Sequence, residues 1–283
     1  MRANSEQIQS CDHFDELLRL TYEEFVQGIP NRPEEWVRRR FAVYGIFPKL
    51  GWGLLQFAYN QALTLDDPTP LLEAGWRFTR CAHGTYGHDD EMSFQAGSQD
   101  YCRLIFPALF TLLQDDRYVR SAFHAQRKMS KGGYPAFTHG VNVLVTLLNP
   151  EWPHAEKALA RARSFTQSKS GKVIDKNFIG IFLGCLERDE AKVADSITGF
   201  HQTYYRTDWG RYKPDTLTLL MKALLNFVAP YAPGAAARLP AFLFTEKESG
   251  LFHKLDAAKQ HFDGQSRAFA APLEFLNPLT FEP

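Results

Sequence analysis

The run Asn177-Phe-Ile-Gly-Ile-Phe-Leu-Gly-Cys-Leu186, continuing as Glu187-Arg-Asp-Glu-Ala-Lys-Val-Ala-Asp-Ser-Ile-Thr-Gly-Phe-His-Gln-Thr-Tyr-Tyr205-Arg206, decides the fold. Its first ten residues are apolar on nearly every side, the pattern of a helix buried all round. Gly180 and Gly184 stand four apart, so a second backbone can approach closely along one stripe. A short charged turn follows. Beyond it Val193, Ile197, Phe200 and Tyr204 recur at i, i+4, i+7 and i+11, which predicts an amphipathic helix over 190–206. The stretch reads as two helices folded back on each other.

The same shape returns elsewhere. Leu112-Leu113-Gln-Asp-Asp-Arg-Tyr-Val119 and Leu147-Leu148-Asn-Pro-Glu-Trp-Pro-His-Ala155 match Cys185-Leu186-Glu-Arg-Asp-Glu-Ala-Lys-Val193, and Leu63-Thr-Leu65-Asp66-Asp-Pro-Thr-Pro-Leu71 is a fourth copy. Leu113, Leu148 and Leu186 are separated by 35 and 38 residues. Each copy ends an apolar helix in leucine. Asp, Asn or Pro then marks a turn and starts a second helix. Stacked hairpins of this period bury one another's faces, although the small-and-aromatic signature of tetratricopeptide repeats is missing.

The flanking sequence agrees. Phe14, Leu17, Leu18, Tyr22 and Phe25 form a helical stripe closed by Gly28 and Pro30, and Pro33 opens a helix carrying Trp36, Val37 and Phe41. Further helices are expected at 50–62, from Thr69-Pro70 onward, and at 93–113, 116–128, 138–148, 154–167, 176–187 and 215–229. No stretch alternates apolar and polar residues between hairpin turns. The expected fold is all-α: an irregular stack of antiparallel helical hairpins, either α-solenoid-like or a helical bundle. It is read as a single domain over 1–283, with an N-terminal helical subregion 1–83 and a hairpin-stack region 92–265. The tail from Ala268 to Pro283, with Phe275, Leu276, Leu279 and Phe281, is expected to pack back onto the body.

Composition narrows the function. Thirty-two Lys and Arg balance 32 Asp and Glu in 283 residues, which argues against a strongly basic nucleic-acid binder and a disordered acidic tail. Rings make up 14% of the residues, so most must go inside. The segment from Met1 to Gln7 has no apolar core of a secretory signal, and stretches such as Leu104–Leu113 are too short to span a bilayer. Cys11, Cys81, Cys102 and Cys185 are scattered without a Cys-x-x-Cys pair, which fits a reducing cytoplasm.

Two clusters could carry chemistry. His83-Gly-Thr-Tyr-Gly-His88-Asp89-Asp90-Glu91 gathers two imidazoles and three carboxylates in a loop, suited to a divalent ion or to acid–base work. It fits neither His-Glu-x-x-His nor a calcium loop, and an acidic loop preceding the helix near Ser93 explains it equally. Tyr204-Tyr205-Arg206-Thr-Asp-Trp209-Gly-Arg211-Tyr212-Lys213 mixes rings with cations at a helix–helix connection, the residue types enriched at binding hot spots. Its competing reading is that half the rings are core. Basic residues at Arg38-Arg39-Arg40 and around Arg161, Arg163, Lys169 and Lys172 read as solvated faces, and Lys131-Gly132-Gly133 as a plain turn. No nucleophile elbow or dinucleotide fingerprint occurs, so no catalytic residue, cofactor or metal is assigned.

Residues 182–208, FLGCLERDEAKVADSITGFHQTYYRTD, resemble the immunity protein 49 family of bacterial polymorphic-toxin systems, and the likeness extends over about 95–255. The resemblance implies a cytoplasmic all-helical protein that binds a cognate toxin and neutralises it by occlusion, without catalysis. The residues expected to make that contact are read from the composition of the 204–213 cluster and not from the resemblance: Tyr205, Arg206, Trp209, Arg211 and Tyr212. Antidotes to nucleases often present an acidic face; here either that face is local, at Asp89, Asp90 and Glu91, or the toxin is not a nuclease. A helical-repeat scaffold or adaptor is the alternative, and a metal-assisted enzyme using His83, His88 and Asp89–Glu91 is a third. Neither a membrane nor a nucleic-acid partner is expected.

Overall fold

The computed structural model describes residues 8–44, 50–86, 98–131, 134–207, 217–264 and 266–277, with the side chains at 39–40, 42–44, 84–86 and 98–104 outside that description. Among the described residues there are twelve α-helices, short 3-10 turns and no strand. The helices are α1 (Cys11–Gly28), α2 (Glu34–Tyr44), α3 (Leu50–Leu65), α4 (Thr69–Tyr86), α5 (Ser98–Thr111) and α6 (Arg117–Ala122). Then come α7 (Pro135–Leu148), α8 (Ala155–Gln167), α9 (Val173–Glu187), α10 (Glu190–Tyr204), α11 (Leu217–Val228) and α12 (Glu246–Lys259). The protein is all-α, an irregular stack of helical hairpins. No helix among the described residues is long and apolar enough to cross a membrane.

The four leucine-ended turns are the four hairpin turns, joining α3 to α4, α5 to α6, α7 to α8 and α9 to α10. Their chemistry is local. Asp66 (φ 55°) and Arg188 (φ 53°) take the left-handed conformation that ends a helix sharply. Asp189 accepts from the Lys192 N–H at 3.0 Å and caps α10. Asp67 and Asp115 each accept the backbone N–H two residues on, from Thr69 and Arg117.

Contacts divide the chain into two compact units, 1–93 with 246–282, and 94–245. In the first, Phe14, Leu18 and Tyr22 form the buried stripe of α1, and Ser10 caps that helix by accepting from the His13 N–H. Arg77 of α4 donates to both carboxylate oxygens of Asp15 at 2.9–3.0 Å and also meets Glu73, tying α4 to α1. The returning chain belongs here: α12 packs on α3 and α4, and Trp76 donates to the Gly264 carbonyl at 2.9 Å. Phe275 stacks on Tyr22 at 5.2 Å and Leu276 is buried, so the tail packs back as expected; Leu279 and Phe281 lie outside the described residues. The expected hairpin-stack region 92–265 thus runs past the second unit, because residues from Glu246 onward pack in the first.

In the second unit α7 packs on α5, α8 and α9, α9 packs most extensively on α10, and α11 lies against α5 and α10. The two glycines do what their spacing implied. A β-carbon on Gly180 would stand 2.6 Å from Ser196 Oγ, and one on Gly184 would meet Val193 Cγ2 at 2.7 Å and Val193 N at 3.1 Å. Phe178, Phe182 and Phe200 are fully buried along this seam, with Phe178 edge-on to Phe182 at 5.1 Å.

Several expected boundaries move: α3 runs on to Leu65, past the expected 62, and α9 starts at Val173, ahead of the expected 176. The helix expected at 116–128 stops at Ala122, because later side chains capture the backbone of 122–130. Asn149 Nδ2 donates to the Phe123 carbonyl, Trp152 Nε1 to that of Arg127, and Asn142 pairs with both the N–H and C=O of Ser130. The helix expected from 138 starts at Pro135, a proline that suits a first turn. The first four residues of the loop expected at 83–91 are helical, since His83–Tyr86 complete α4 and a single glycine costs a helix only about 1 kcal/mol; residues 87–91 lie outside the described residues.

Candidate functional site

Val173, Tyr205 and Phe242 are the large apolar side chains exposed in the second unit among the described residues, at 62%, 64% and 55%. Local geometry brings them to one place. Antiparallel pairing sets Gly184 of α9 against Val193 of α10, Gly180 against Ser196, and Asn177 against Gly199. The first turn of α9, with Val173, therefore lies beside the last turn of α10, which leads into Tyr205. One turn before Tyr205 is His201, whose ring meets Phe242 at 5.6 Å. Tyr204, between them, turns inward, is fully buried, and stacks edge-on against Tyr205 at 5.4 Å. The open end of this hairpin thus carries three exposed apolar side chains beside the buried Tyr204.

Cations flank Val173 and Tyr205 in the chain. Lys169, Lys172 and Arg206 are exposed. Lys172 Nζ stands 5.8 Å from the Tyr134 ring, and the Tyr134 hydroxyl donates to Asp175 at 3.0 Å. Asp175 is buried and so adds little negative charge to the surface there. Burial holds the pKa of the His201 imidazole below its ordinary range, disfavouring a charge beside Phe242. At the turn end of the same hairpin the carboxylates are engaged. Glu187 meets Arg163 at 3.2 Å and Lys192 at 2.7 Å; burial raises its pKa, but these two cations outweigh burial and hold it below the usual carboxylate range. Glu190 accepts from the Gly234 N–H at 2.8 Å. The hairpin is polarised, with satisfied acids at its turn and exposed cations at its open end.

Of the residues expected to meet a partner, Tyr205 and Arg206 sit in this patch and are exposed. Trp209, Arg211 and Tyr212 lie outside the described residues, as do His88, Asp89, Asp90 and Glu91. His83 is half-buried in the last turn of α4. Among the described residues no group of three or more His, Cys, Asp or Glu is placed to hold a metal. Arg38 is absorbed by structure, pairing with Glu34 and lying 5.4 Å from the Phe275 ring. An open groove of about 490 Å³ runs along α3 in the first unit, lined by Ile8, Gly53, Gln56, Phe57, Asn60 and Leu65 among others, with no ionisable side chain.

Sequence reasoning missed Val173 and Phe242. Val173 fits the apolar pattern of α9, and only its place in the first turn leaves it uncovered. Phe242 sits in Leu-Pro-Ala-Phe-Leu-Phe, which reads as core, yet there Leu243 is the residue that turns in. No family model, curated protein or solved structure gives a significant match to the chain.

Proposed function

We propose that this protein works by binding, as the immunity partner of a bacterial toxin that it neutralises by stoichiometric occlusion. One observation carries the reading: Val173, Tyr205 and Phe242, each more than half exposed, gather at one end of the α9–α10 hairpin on a fully buried aromatic base. Exposed apolar side chains at one hairpin end, with exposed cations next to them in the chain, have the composition of an interface. The resemblance of residues 182–208 to the immunity protein 49 family supplies the class of partner, and those residues include Tyr205 and Arg206. A stable complex would bury about 1,600 Å² in total, so the patch is its anchor and the surrounding helices its periphery.

The test is genetic and direct. The open reading frame next to this one is expressed in a sensitive host with and without this chain. Growth should stop without it and resume with it, and the two proteins should copurify. Tyr205→Ala combined with Phe242→Ala should abolish rescue while the helical circular dichroism stays unchanged. A neighbour that is harmless, or rescue that survives this double variant, refutes the reading.

A further inference from the structure

We infer that the open end of the α9–α10 hairpin docks an acidic protein surface, with Val173, Tyr205 and Phe242 as apolar anchors and Lys169, Lys172 and Arg206 as the rim that selects for carboxylates. This names the chemistry of the partner and rests on the binding function proposed above.

The charge is local. Residues 127–176 hold nine Lys and Arg against three Asp and Glu, in a chain whose totals are equal. Of those three, Asp175 is buried under Tyr134. Lys169 and Arg206 are exposed and make no ion pair among the described residues, in contrast to Arg163 and Lys192, which neutralise Glu187 at the other end. Arg161, also exposed, is close enough to His139 to disfavour its protonation, adding positive potential beside the α8–α9 connection. Exposed cations around a desolvated apolar centre speed encounter with an acidic partner and penalise a basic one.

The same features argue for a protein over a nucleic acid. Single-strand binding needs a cationic groove that follows the phosphates. The groove along α3 is uncharged, and the cations here stand next to exposed apolar side chains at one hairpin end. One of the three anchors, Val173, is aliphatic and offers no face for base stacking.

The test uses the full-length protein and two fluorescein-labelled probes: a short peptide repeating Glu-Glu-Phe, and a single-stranded oligonucleotide of matched charge, each followed by fluorescence anisotropy. The peptide should bind, more weakly as salt rises, and better than the oligonucleotide. Lys169→Glu with Lys172→Glu should weaken it by roughly tenfold or more, whereas the charge-matched control Arg32→Glu with Lys247→Glu, in the first unit, should leave it unchanged. Equal peptide binding by wild type and the Lys169/Lys172 variant, preference for the oligonucleotide, or no peptide binding overturns the inference. Failure of toxin rescue with peptide binding intact would remove the proposed function alone. Rescue that survives the Lys169/Lys172 variant after its peptide binding is lost would remove this docking assignment alone.

Discussion

Asn142 offers the sharpest test of how the second unit is held together. Its side-chain amide faces the backbone of Ser130, accepting from the N–H and donating to the C=O, both at 2.9 Å, and it is 2% exposed. It supplies the hydrogen bonds that a strand would give, to a coil segment buried against α7. Asn142→Leu keeps the branched shape, at a larger volume, and leaves two buried backbone groups without partners. At about 1–3 kcal/mol each, offset by about 1 kcal/mol for the apolar side chain, the net loss is roughly 3 kcal/mol. Urea unfolding followed by circular dichroism measures it, and the Ser130 amide should lose its protection from hydrogen exchange. Asn142→Asp separates polarity from size. Its ionised form can accept from the N–H but turns a second oxygen toward the Ser130 carbonyl, so the folded state raises its pKa above the unfolded value of about 3.9. A raised carboxyl pKa gives stability that is present at low pH and lost as pH rises through the folded value. The Asp variant should therefore approach wild type as the solution is acidified toward about pH 4. A Leu variant within about 0.5 kcal/mol of wild type, or an Asp variant whose deficit grows on acidification, would refute the pairing.

Two further outcomes are expected. Gly184→Ala adds a methyl against Val193 Cγ2 and backbone N, where the β-branched Val193 cannot turn away; about 2 kcal/mol of overpacking outweighs about 1 kcal/mol of helix propensity, so thermal unfolding should fall. Gly250→Ala in α12 meets nothing within 4 Å and should gain about 0.5–1 kcal/mol, so equal effects at the two sites would contradict the close approach of α9 and α10. Burial holds His139 and His201 below their ordinary value near 6.5, with Arg161 also disfavouring the charge on His139. The unfolded chain then binds more protons, so their contribution is full above that value and is lost as pH falls below it toward the folded values. Urea midpoints should drop on acidification from about pH 7 to about pH 5, and His139→Gln with His201→Gln should flatten that slope.

Much of the fold was legible because its signals are local. The stripe Val193–Ile197–Phe200–Tyr204, the Asp189 cap and the Gly180/Gly184 pair each act within a few residues or across one hairpin, and all four leucine-ended turns became hairpin turns. The end of α6 was not legible. Nothing in His-Ala-Gln-Arg-Lys forbids helix; the segment is held as coil by Asn142, Asn149 and Trp152, whose claim on its carbonyls comes from tertiary packing. At the candidate site Tyr205 and Arg206 showed through their composition, whereas Val173 and Phe242 carry core-like residue types. Their exposure follows from where a first helical turn and a short 3-10 element leave them.

Charge was the most misleading sequence signal. Equal totals of acids and bases describe the chain as seen from far away, and they set its solubility more than its choice of partner. At physiological salt a docking surface senses charges within about 8 Å, so a partner meets one corner and never the sum. In the α9–α10 hairpin Asp175 is buried and Glu187 and Glu190 are engaged at the far turn, so the exposed charges described at the open end are Lys169, Lys172 and Arg206, with the exposed Asp195 lying mid-helix on α10. An acidic face was the feature expected of an antidote to a nuclease. The exposed charges described beside Val173, Tyr205 and Phe242 have the opposite sign, so on the function proposed above a toxin held there would present carboxylates and not a phosphate-binding cleft.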